Sequence, residues 1–212
     1  MIHILVADDH PVVRQGLRHI LAEEFPQAVV GEAQNAQEVV ELVQARNWDI
    51  VILDLSMPGK SGLDLVKELK KSSPRLRILV LTMLSEEQLA IRVLRAGAEG
   101  YLTKDDAPDE LVKAIRRLLD GGKYVNPSLA QALVFDLAAP ASETPLHTKL
   151  SDREYQVLCM IASGKSGKSI AQDLSLSIKT VNTYRARILE KLNLKSNVEL
   201  TRYVIENRLG RS

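Results

Sequence analysis

Acidic, hydroxyl and ammonium side chains follow short apolar runs in the first 104 residues. Asp8 and Asp9 follow one such run and Asp54 follows another; Thr82 ends a third, and Lys104 comes just after a fourth. Runs this short, rich in branched aliphatic residues, predict buried strands. Because ligands bind at the carboxyl edge of an open parallel sheet, we expect these five side chains to meet in one site.

Three carboxylates held close together repel one another unless a cation lies between them. Asp8, Asp9 and Asp54 offer only oxygen ligands, which suit Mg²⁺. An aspartate beside such an ion can attack a phosphoryl group and form an acyl phosphate, so we predict that Asp54 is a phosphoacceptor. Lys104 would then pair with one phosphate oxygen, and the Thr82 hydroxyl would donate to another.

Each of these side chains also has a simpler explanation. Asp54 can begin a turn, Lys104 can be a solvated lysine, and Thr82 can cap the end of a strand. Their combination at the ends of predicted strands favours a single site over three unrelated explanations.

The elements that position these residues alternate along the chain. Strands are predicted at residues 2–7, 29–32, 50–53, 78–81 and 100–102, and helices at 11–24, 36–46, 62–71, 86–96 and 107–121. Five strand–helix units in succession predict an α/β domain with a doubly wound, five-stranded parallel sheet and helices on both faces. Asp106 is predicted to cap the last of these helices.

Composition restricts the class of protein. The single Cys159 excludes an intramolecular disulfide framework, and no Cys/His cluster has zinc spacing. No run approaches the roughly 20 apolar residues of a membrane span, and the N-terminus lacks the basic region of a signal peptide. We therefore expect a cytoplasmic protein with no membrane partner. Residues 149–212 carry 12 Lys and Arg against 6 Asp and Glu, which favours an anionic partner, nucleic acid first.

The sequence divides into three parts. Residues 1–123 form the predicted sheet domain, and residues 124–148, with three prolines, form a predicted linker in which a helix extends over residues 129–137. Residues 149–212 form a small all-α domain of four predicted helices. Its second helix, 168–174, and its longer basic third helix, 179–192, are joined by a tight turn, which predicts a helix-turn-helix.

Serines mark the helix starts of this small domain. Ser151 with Glu154, and Ser196 with Glu199, have the spacing of capping boxes, and Ser177 precedes the third helix. The last helix is predicted to continue to about residue 208.

The third helix has an apolar and a polar face. Val181, Tyr184, Ile188 and Leu192 share the apolar face, which we predict to be core. On the polar face, an Asn can pair with adenine, and a Thr or Ala methyl can touch the thymine methyl. The residues predicted to contact DNA are Lys168, Lys179, Thr180, Asn182, Thr183, Arg185, Ala186, Arg187 and Lys191, with Lys168, Arg185 and Lys191 placed for phosphates. The simpler explanation is a solvated charged face.

Residues 2 to about 123 resemble the receiver domain of two-component response regulators. The resemblance implies that Asp9 ligates Mg²⁺ directly beside Asp8, that the Ser56 carbonyl is a further ligand, and that Asp54 is the phosphoacceptor. It also implies that Thr82, Tyr101 and Lys104 respond to the phosphoryl group. The motif Met57-Pro58-Gly59 matches the turn behind the acceptor, whereas Asp105 stands where many receivers have proline.

Residues 149 to about 208 look like the helix-turn-helix domain of LuxR/NarL/FixJ-type regulators. The motifs that carry this resemblance are Leu150-Ser-Asp-Arg-Glu154, Ile170-Ala171, Leu176-Ser177, Lys179-Thr-Val181 and Lys191-Leu-Asn-Leu. The family's fold implies that the third helix enters the major groove and that the fourth contributes to dimerisation, with Tyr203 as a candidate contact. Gly167 departs from the pattern, since an Asn or Thr is frequent there, and we expect the second helix to lack a side-chain cap.

Together the two resemblances predict a response regulator, not an enzyme, that accepts a phosphoryl group from a sensor histidine kinase. Phosphorylation would favour a homodimer that binds paired half-sites in double-stranded DNA. One alternative is a DNA-binding regulator that does not depend on phosphorylation and whose receiver only dimerises. A phosphatase or phosphotransferase with an aspartyl nucleophile is a weaker alternative, because such enzymes usually have a second acid where Ser56 stands. Ser56 and Leu84 offer no base to orient a hydrolytic water, so slow self-dephosphorylation is expected.

Overall fold

The structure, a computed structural model, describes residues 1–57, 60–83, 87–126, 129–130, 146–174, 176–207 and 209. The predicted turn at Pro58-Gly59, Leu84, most of the predicted linker and the predicted end of the last helix at residue 208 lie outside these residues. The chain divides into two compact units between residues 134 and 135, and each unit is described by itself.

The first unit contains a parallel sheet of five strands. These are β1 (His3–Ala7), β2 (Val29–Ala33), β3 (Ile50–Leu53), β4 (Arg77–Thr82) and β5 (Gly100–Thr103), in the order β2-β1-β3-β4-β5. All five were predicted, with bounds that differ by one residue at most. The order reverses at β1, which places the ligand-binding edge of such a sheet at the ends of β1 and β3.

Five helices cover the sheet. They are α1 (Pro11–Glu24), α2 (Ala36–Ala45), α3 (Gly62–Ser72), α4 (Glu87–Arg95) and α5 (Ala107–Leu119). The first and last pack on one face, where Leu17 and Leu21 meet Leu111 and Ile115. Helices α2, α3 and α4 pack on the other. The buried strands read as continuous apolar runs because both faces of the sheet are covered.

The predicted cap of α5 is wrong. Asp106 precedes this helix, but its backbone is already helical and its side chain makes no capping hydrogen bond. Its carboxylate instead accepts a hydrogen bond from the Thr103 hydroxyl, 2.7 Å away. Asp106 therefore closes the turn from Thr103 to Asp106 that contains Lys104, which fixes the chain at the predicted site.

The chain after α5 returns to the sheet. The Tyr124 amide donates to the Glu99 carbonyl, and the Tyr101 amide donates to the Tyr124 carbonyl, over 2.9 and 3.1 Å. Farther on, Leu129 is buried in the same apolar cluster as Tyr101. The first residues of the predicted linker thus pack on the first unit.

The second unit is helical. A short 3₁₀ turn (Leu146–Lys149) precedes α6 (Asp152–Ala162), α7 (Gly167–Asp173), α8 (Ile178–Leu192) and α9 (Asn197–Glu206). Their apolar faces form one core, to which Val181, Ile188 and Leu192 of α8 contribute as predicted. Gly164 ends α6 and Asn193 ends α8, both with positive φ, which a Gly or Asn tolerates most easily.

Serine side chains cap all four of these helices. Ser151 and Glu154 form the predicted capping box, and Ser177 caps α8 as predicted. The prediction that α7 lacks a side-chain cap because of Gly167 is wrong, since the preceding Ser166 accepts from the Ser169 amide. At α9, Ser196 caps the helix, but Glu199 accepts from Lys195 rather than from Ser196, so this box is incomplete.

In the part of the chain that the structure describes, no helix is long and apolar enough to cross a membrane.

Candidate functional site

The first site lies where β1 and β3 end side by side. Ala7 pairs with Leu53 in the parallel register, and the Asp54 amide donates to the Ala7 carbonyl over 2.8 Å. Asp8 and Asp54 therefore emerge together at the carboxyl edge of the sheet, and both are almost fully buried. Folding thus brings together two acids that are 46 residues apart, as predicted.

Lys104 joins these two acids. Its ammonium lies 2.6 Å from Asp8 Oδ2 and 2.8 Å from Asp54 Oδ2, and its side chain is only 10% exposed. The Lys104 amide donates to the Thr82 carbonyl over 2.8 Å, which continues the pairing of β5 with β4 beyond Thr103. The ends of β1, β3, β4 and β5 thus build one polar cluster.

The cluster suits a divalent cation. Asp8, Asp9, His10 and Asp54 each offer a ligand atom, and these four atoms lie within 4.8 Å of one another. Asp8 Oδ2 and Asp9 Oδ1 are buried, and their ion-pair partners are the Lys104 ammonium at 2.6 Å and the His10 imidazole at 2.8 Å. Carboxylate oxygens that converge in this way suit a hard cation such as Mg²⁺.

Burial controls the electrostatics of the acceptor. Desolvation raises the pKa of Asp54 above its usual range, and neither the nearby Lys104 ammonium nor the Ser56 amide, 2.9 Å away, offsets it fully. For Lys104, burial alone would lower the pKa, but attraction to Asp54 and Asp8 and the hydrogen bonds that it donates to them raise the pKa overall. Only the ionised carboxylate can attack a phosphoryl group, and the Lys104 ammonium favours that form of Asp54.

The other residues predicted for this site are placed around it. Thr82 is fully buried at the end of β4, and Ser56 follows Asp54 with its amide bound to that carboxylate. Tyr101 is already directed inward, because it is 4% exposed and packs in the apolar cluster of α2, α3 and α4. Their roles in metal binding and switching remain predictions.

Two residues of this site were missed by the sequence analysis. The His10 imidazole lies 2.8 Å from Asp9 Oδ1 and 3.3 Å from Asp8 Oδ1. Arg14 is 7% exposed; it donates to the Asp8 carbonyl over 2.7 Å and to Glu32 over 3.1 Å. An available signal for Arg14 was its place on the buried stripe of α1, three residues before Leu17.

The second site is the exposed face of α8. Lys179, Asn182, Thr183, Ala186 and Arg187 are exposed there, as predicted, and Lys168 is exposed at the start of α7. The Thr183 hydroxyl donates to the Lys179 carbonyl, so its methyl group is the part left for an external partner.

Other predicted DNA contacts are bound within the protein. Lys191 Nζ lies 2.6 Å from Oε2 of the buried Glu154, and Arg185 donates to Asn197 at the start of α9. The Thr180 hydroxyl lies 2.8 Å from that of Ser177 in the helix cap.

Tyr203, predicted at the dimer contact, is also engaged inside its unit. Its hydroxyl accepts from the His147 amide over 3.3 Å, and the two rings meet edge to face. Two aliphatic side chains of the same helix, Val198 and Ile205, are far more exposed, at 79% and 71%.

Two family models match the chain. The model of the response regulator receiver domain matches residues 4–116, and that of bacterial regulatory proteins of the luxR family matches residues 148–204. The chain is a response regulator of the LuxR family. This confirms the family and both fold classes predicted from the sequence.

Related response regulators match almost the full length. The response regulator GacA of Pseudomonas protegens is 42% identical over 203 residues, which cover 95% of this chain and 94% of GacA. UvrY of Escherichia coli K12 is 39% identical over 209 residues, which cover 99% of this chain and 96% of UvrY.

A solved structure extends the comparison to a DNA complex. RcsB of Salmonella enterica serovar Typhimurium, bound to the promoter rprA in the presence of the phosphomimetic BeF3⁻, is 30% identical. The match has a TM-score of 0.61 and covers 97% of this chain and 99% of RcsB. Another structure contains two RcsB dimers bound to two parallel DNAs.

Proposed function

We propose that this response regulator accepts a phosphoryl group on Asp54 from a sensor histidine kinase and then binds double-stranded DNA as a homodimer in the cytoplasm. The observation that carries the proposal is the cluster of buried Asp8 and Asp54 around Lys104, beside Asp9. Asp8, Asp9, Asp54 and the Ser56 carbonyl would hold Mg²⁺, which when bound neutralises charge on the carboxylates and the phosphoryl oxygens.

The protein's own residues would convert phosphorylation into a change of surface. Without a phosphoryl group, Lys104 pairs with the carboxylates of Asp8 and Asp54. With it, the Lys104 ammonium and the Thr82 hydroxyl would bind phosphoryl oxygens, contacts that exist only in the modified state. Such differential contacts supply the free energy that shifts a two-state surface. The change of surface would occur at Tyr101 and at the elements that pack on it.

The second unit would read DNA through α8, with its basic and polar face in the major groove. The solved complexes of the related RcsB with DNA, and its dimers on DNA, support this proposal. A symmetric dimer places two recognition helices on one face of the duplex, which accounts for paired half-sites.

The test is the intact-protein mass after incubation with a small phosphodonor and Mg²⁺. We expect one phosphoryl group on the wild type and on Asp64→Asn, an exposed aspartate of α3, but none on Asp54→Asn. In the same samples, sedimentation and DNA-binding assays should detect a DNA-bound dimer only for the proteins whose mass increases. Unmodified wild type that binds DNA equally well would instead support the regulator that does not depend on phosphorylation.

A further inference from the structure

The recognition helix begins with an exposed aliphatic residue. Ile178 is the first residue of α8, directly after the cap Ser177, and is 49% exposed. Single exposed aliphatic residues are common on protein surfaces, so exposure alone carries no conclusion. The position of Ile178 is more informative than its exposure, because the N-terminal residues of a recognition helix reach the base edges.

Ile178 lies outside the apolar core that the described residues of the second unit form. The described residues that form its core, buried or partly buried, do not include Ile178. A hydrophobic staple at the start of α8 would join the residue before the cap to the fourth helical residue. Those positions are held by Leu176 and Val181, both of which pack in the core. Ile178 is therefore left for a partner outside the unit.

The neighbouring side chains indicate the chemistry of that partner. Asn182 lies one turn along the helix from Ile178 and is exposed, and an Asn pairs with the N6 and N7 atoms of adenine. Thr183 and Ala186 present methyl groups on the same exposed face. An amide beside aliphatic groups suits A·T pairs, since thymine is the base with a methyl group in the major groove.

We propose that Ile178 contacts the 5-methyl group of a thymine and so determines the preference for an A·T pair at one position of each half-site. The proposal rests on the proposed DNA binding by α8. The cap fixes the backbone turn that carries Ile178, because the Ser177 hydroxyl accepts from the Thr180 amide over 3.0 Å and contacts the Thr180 hydroxyl. A branched aliphatic side chain on a fixed turn loses little rotamer freedom on binding.

The experiment selects binding sites from random duplexes with the full-length chain, in the presence of phosphodonor and Mg²⁺. We expect Ile178→Ser to lose the thymine preference at one position per half-site, while Ile178→Val keeps it. Val12→Ser, which changes an exposed aliphatic residue on α1, is the matched control and should select the wild-type site.

Replacing that thymine with deoxyuridine then removes only the methyl group. Wild-type affinity should fall about fourfold, the value of burying one methyl-sized group, whereas the affinity of Ile178→Ser should not change. An equal fall in both proteins, or no fall in the wild type, would overturn the base contact and leave the proposed function intact. A wild-type chain that selects no site at all would overturn both.

Discussion

At the scale of the residue, the proposed phosphoacceptor site depends on Lys104. Its ammonium is the cation that lies within 3 Å of both buried carboxylates, Asp8 and Asp54. Removing one partner of a buried ionic cluster costs more than the cluster itself contributes, because charge is left uncompensated. The same ammonium would bind the phosphoryl group. Lys104 would therefore serve both the stability of the fold and the response to phosphorylation.

Lys104→Met should therefore destabilise the first unit in metal-free buffer by roughly 3–5 kcal/mol. Mg²⁺ should restore part of that loss and stabilise the variant more than the wild type, because a bound cation replaces the missing ammonium. Urea unfolding with and without Mg²⁺ measures both effects. Lys113→Met, which breaks an exposed pair with Glu110, is the control and should unfold like the wild type. Equal Mg²⁺ effects on the variant and the wild type would contradict the prediction.

Sequence reasoning found the acids, Thr82 and Lys104 of this site because strand ends in a parallel sheet meet at one edge. It did not find Arg14, since a charged residue on a helix is normally solvated and only the packing of α1 on the sheet buries it. The contact of Lys191 with DNA stays a prediction, and the sequence could not show that the Glu154 carboxylate lies beside this lysine. The spacing of Ser151 and Glu154 predicts a capping box, but it does not show that Lys191 also binds the Glu154 carboxylate.

At the scale of the element, Lys191 ties the end of α8 to the start of α6. Glu154 accepts from both the Ser151 amide and Lys191, so one carboxylate closes a capping box and anchors α8. A side chain engaged in this way would affect the proposed DNA binding through the position of α8. A phosphate contact would act through counterion release instead.

The salt dependence of DNA binding distinguishes these roles. We expect Lys191→Met and Glu154→Gln both to weaken binding while leaving the slope of log affinity against log salt unchanged. Lys179→Met, which removes an exposed lysine of the same helix, should reduce that slope by about one. A slope reduced by about one in Lys191→Met, together with normal binding by Glu154→Gln, would assign Lys191 to a phosphate.

The same carboxylate makes the second unit sensitive to acid. Burial acts to raise the pKa of Glu154, but hydrogen bonds and attraction from Lys191 and Ser151 lower it overall. An acid whose folded pKa is lowered stabilises the fold above its unfolded pKa, and this contribution is lost as the pH falls through the folded pKa. The melting temperature of this unit should therefore fall below about pH 4.5. Glu154→Gln should start lower and show a shallower fall in circular dichroism melts, and identical pH profiles would contradict this.

At the scale of the whole molecule, the two units have separate cores, and the described partners of Asp54, which are Ala7, Ser56 and Lys104, belong to the first. A fragment of residues 1–130 should therefore fold and accept a phosphoryl group on Asp54 at the rate of the full chain. Intact mass against time with a small phosphodonor measures both rates. A fragment that is folded by circular dichroism but modified several times more slowly would show that the second unit contributes to the reaction.

The predicted sheet domain and the predicted helical domain could each be recognised because each has its own hydrophobic pattern. The linker was harder, because Tyr124 and Leu129 look like isolated apolar residues in a run with prolines. Their partners, β5 and the cluster around Tyr101, are set by the tertiary fold, which a local pattern does not contain.

The return of Tyr124 to β5 also bears on how copies of this protein can associate. An uncovered outer strand offers amide and carbonyl groups on which a strand of another molecule can grow the sheet. Along β5, the Tyr101 amide and the Glu99 carbonyl that precedes the strand are already bonded to Tyr124. The chain thus covers the beginning of β5 with its own continuation, so these two backbone groups are not available to a strand of another molecule. At this end of β5, association between copies would therefore depend on side chains and not on extension of the sheet.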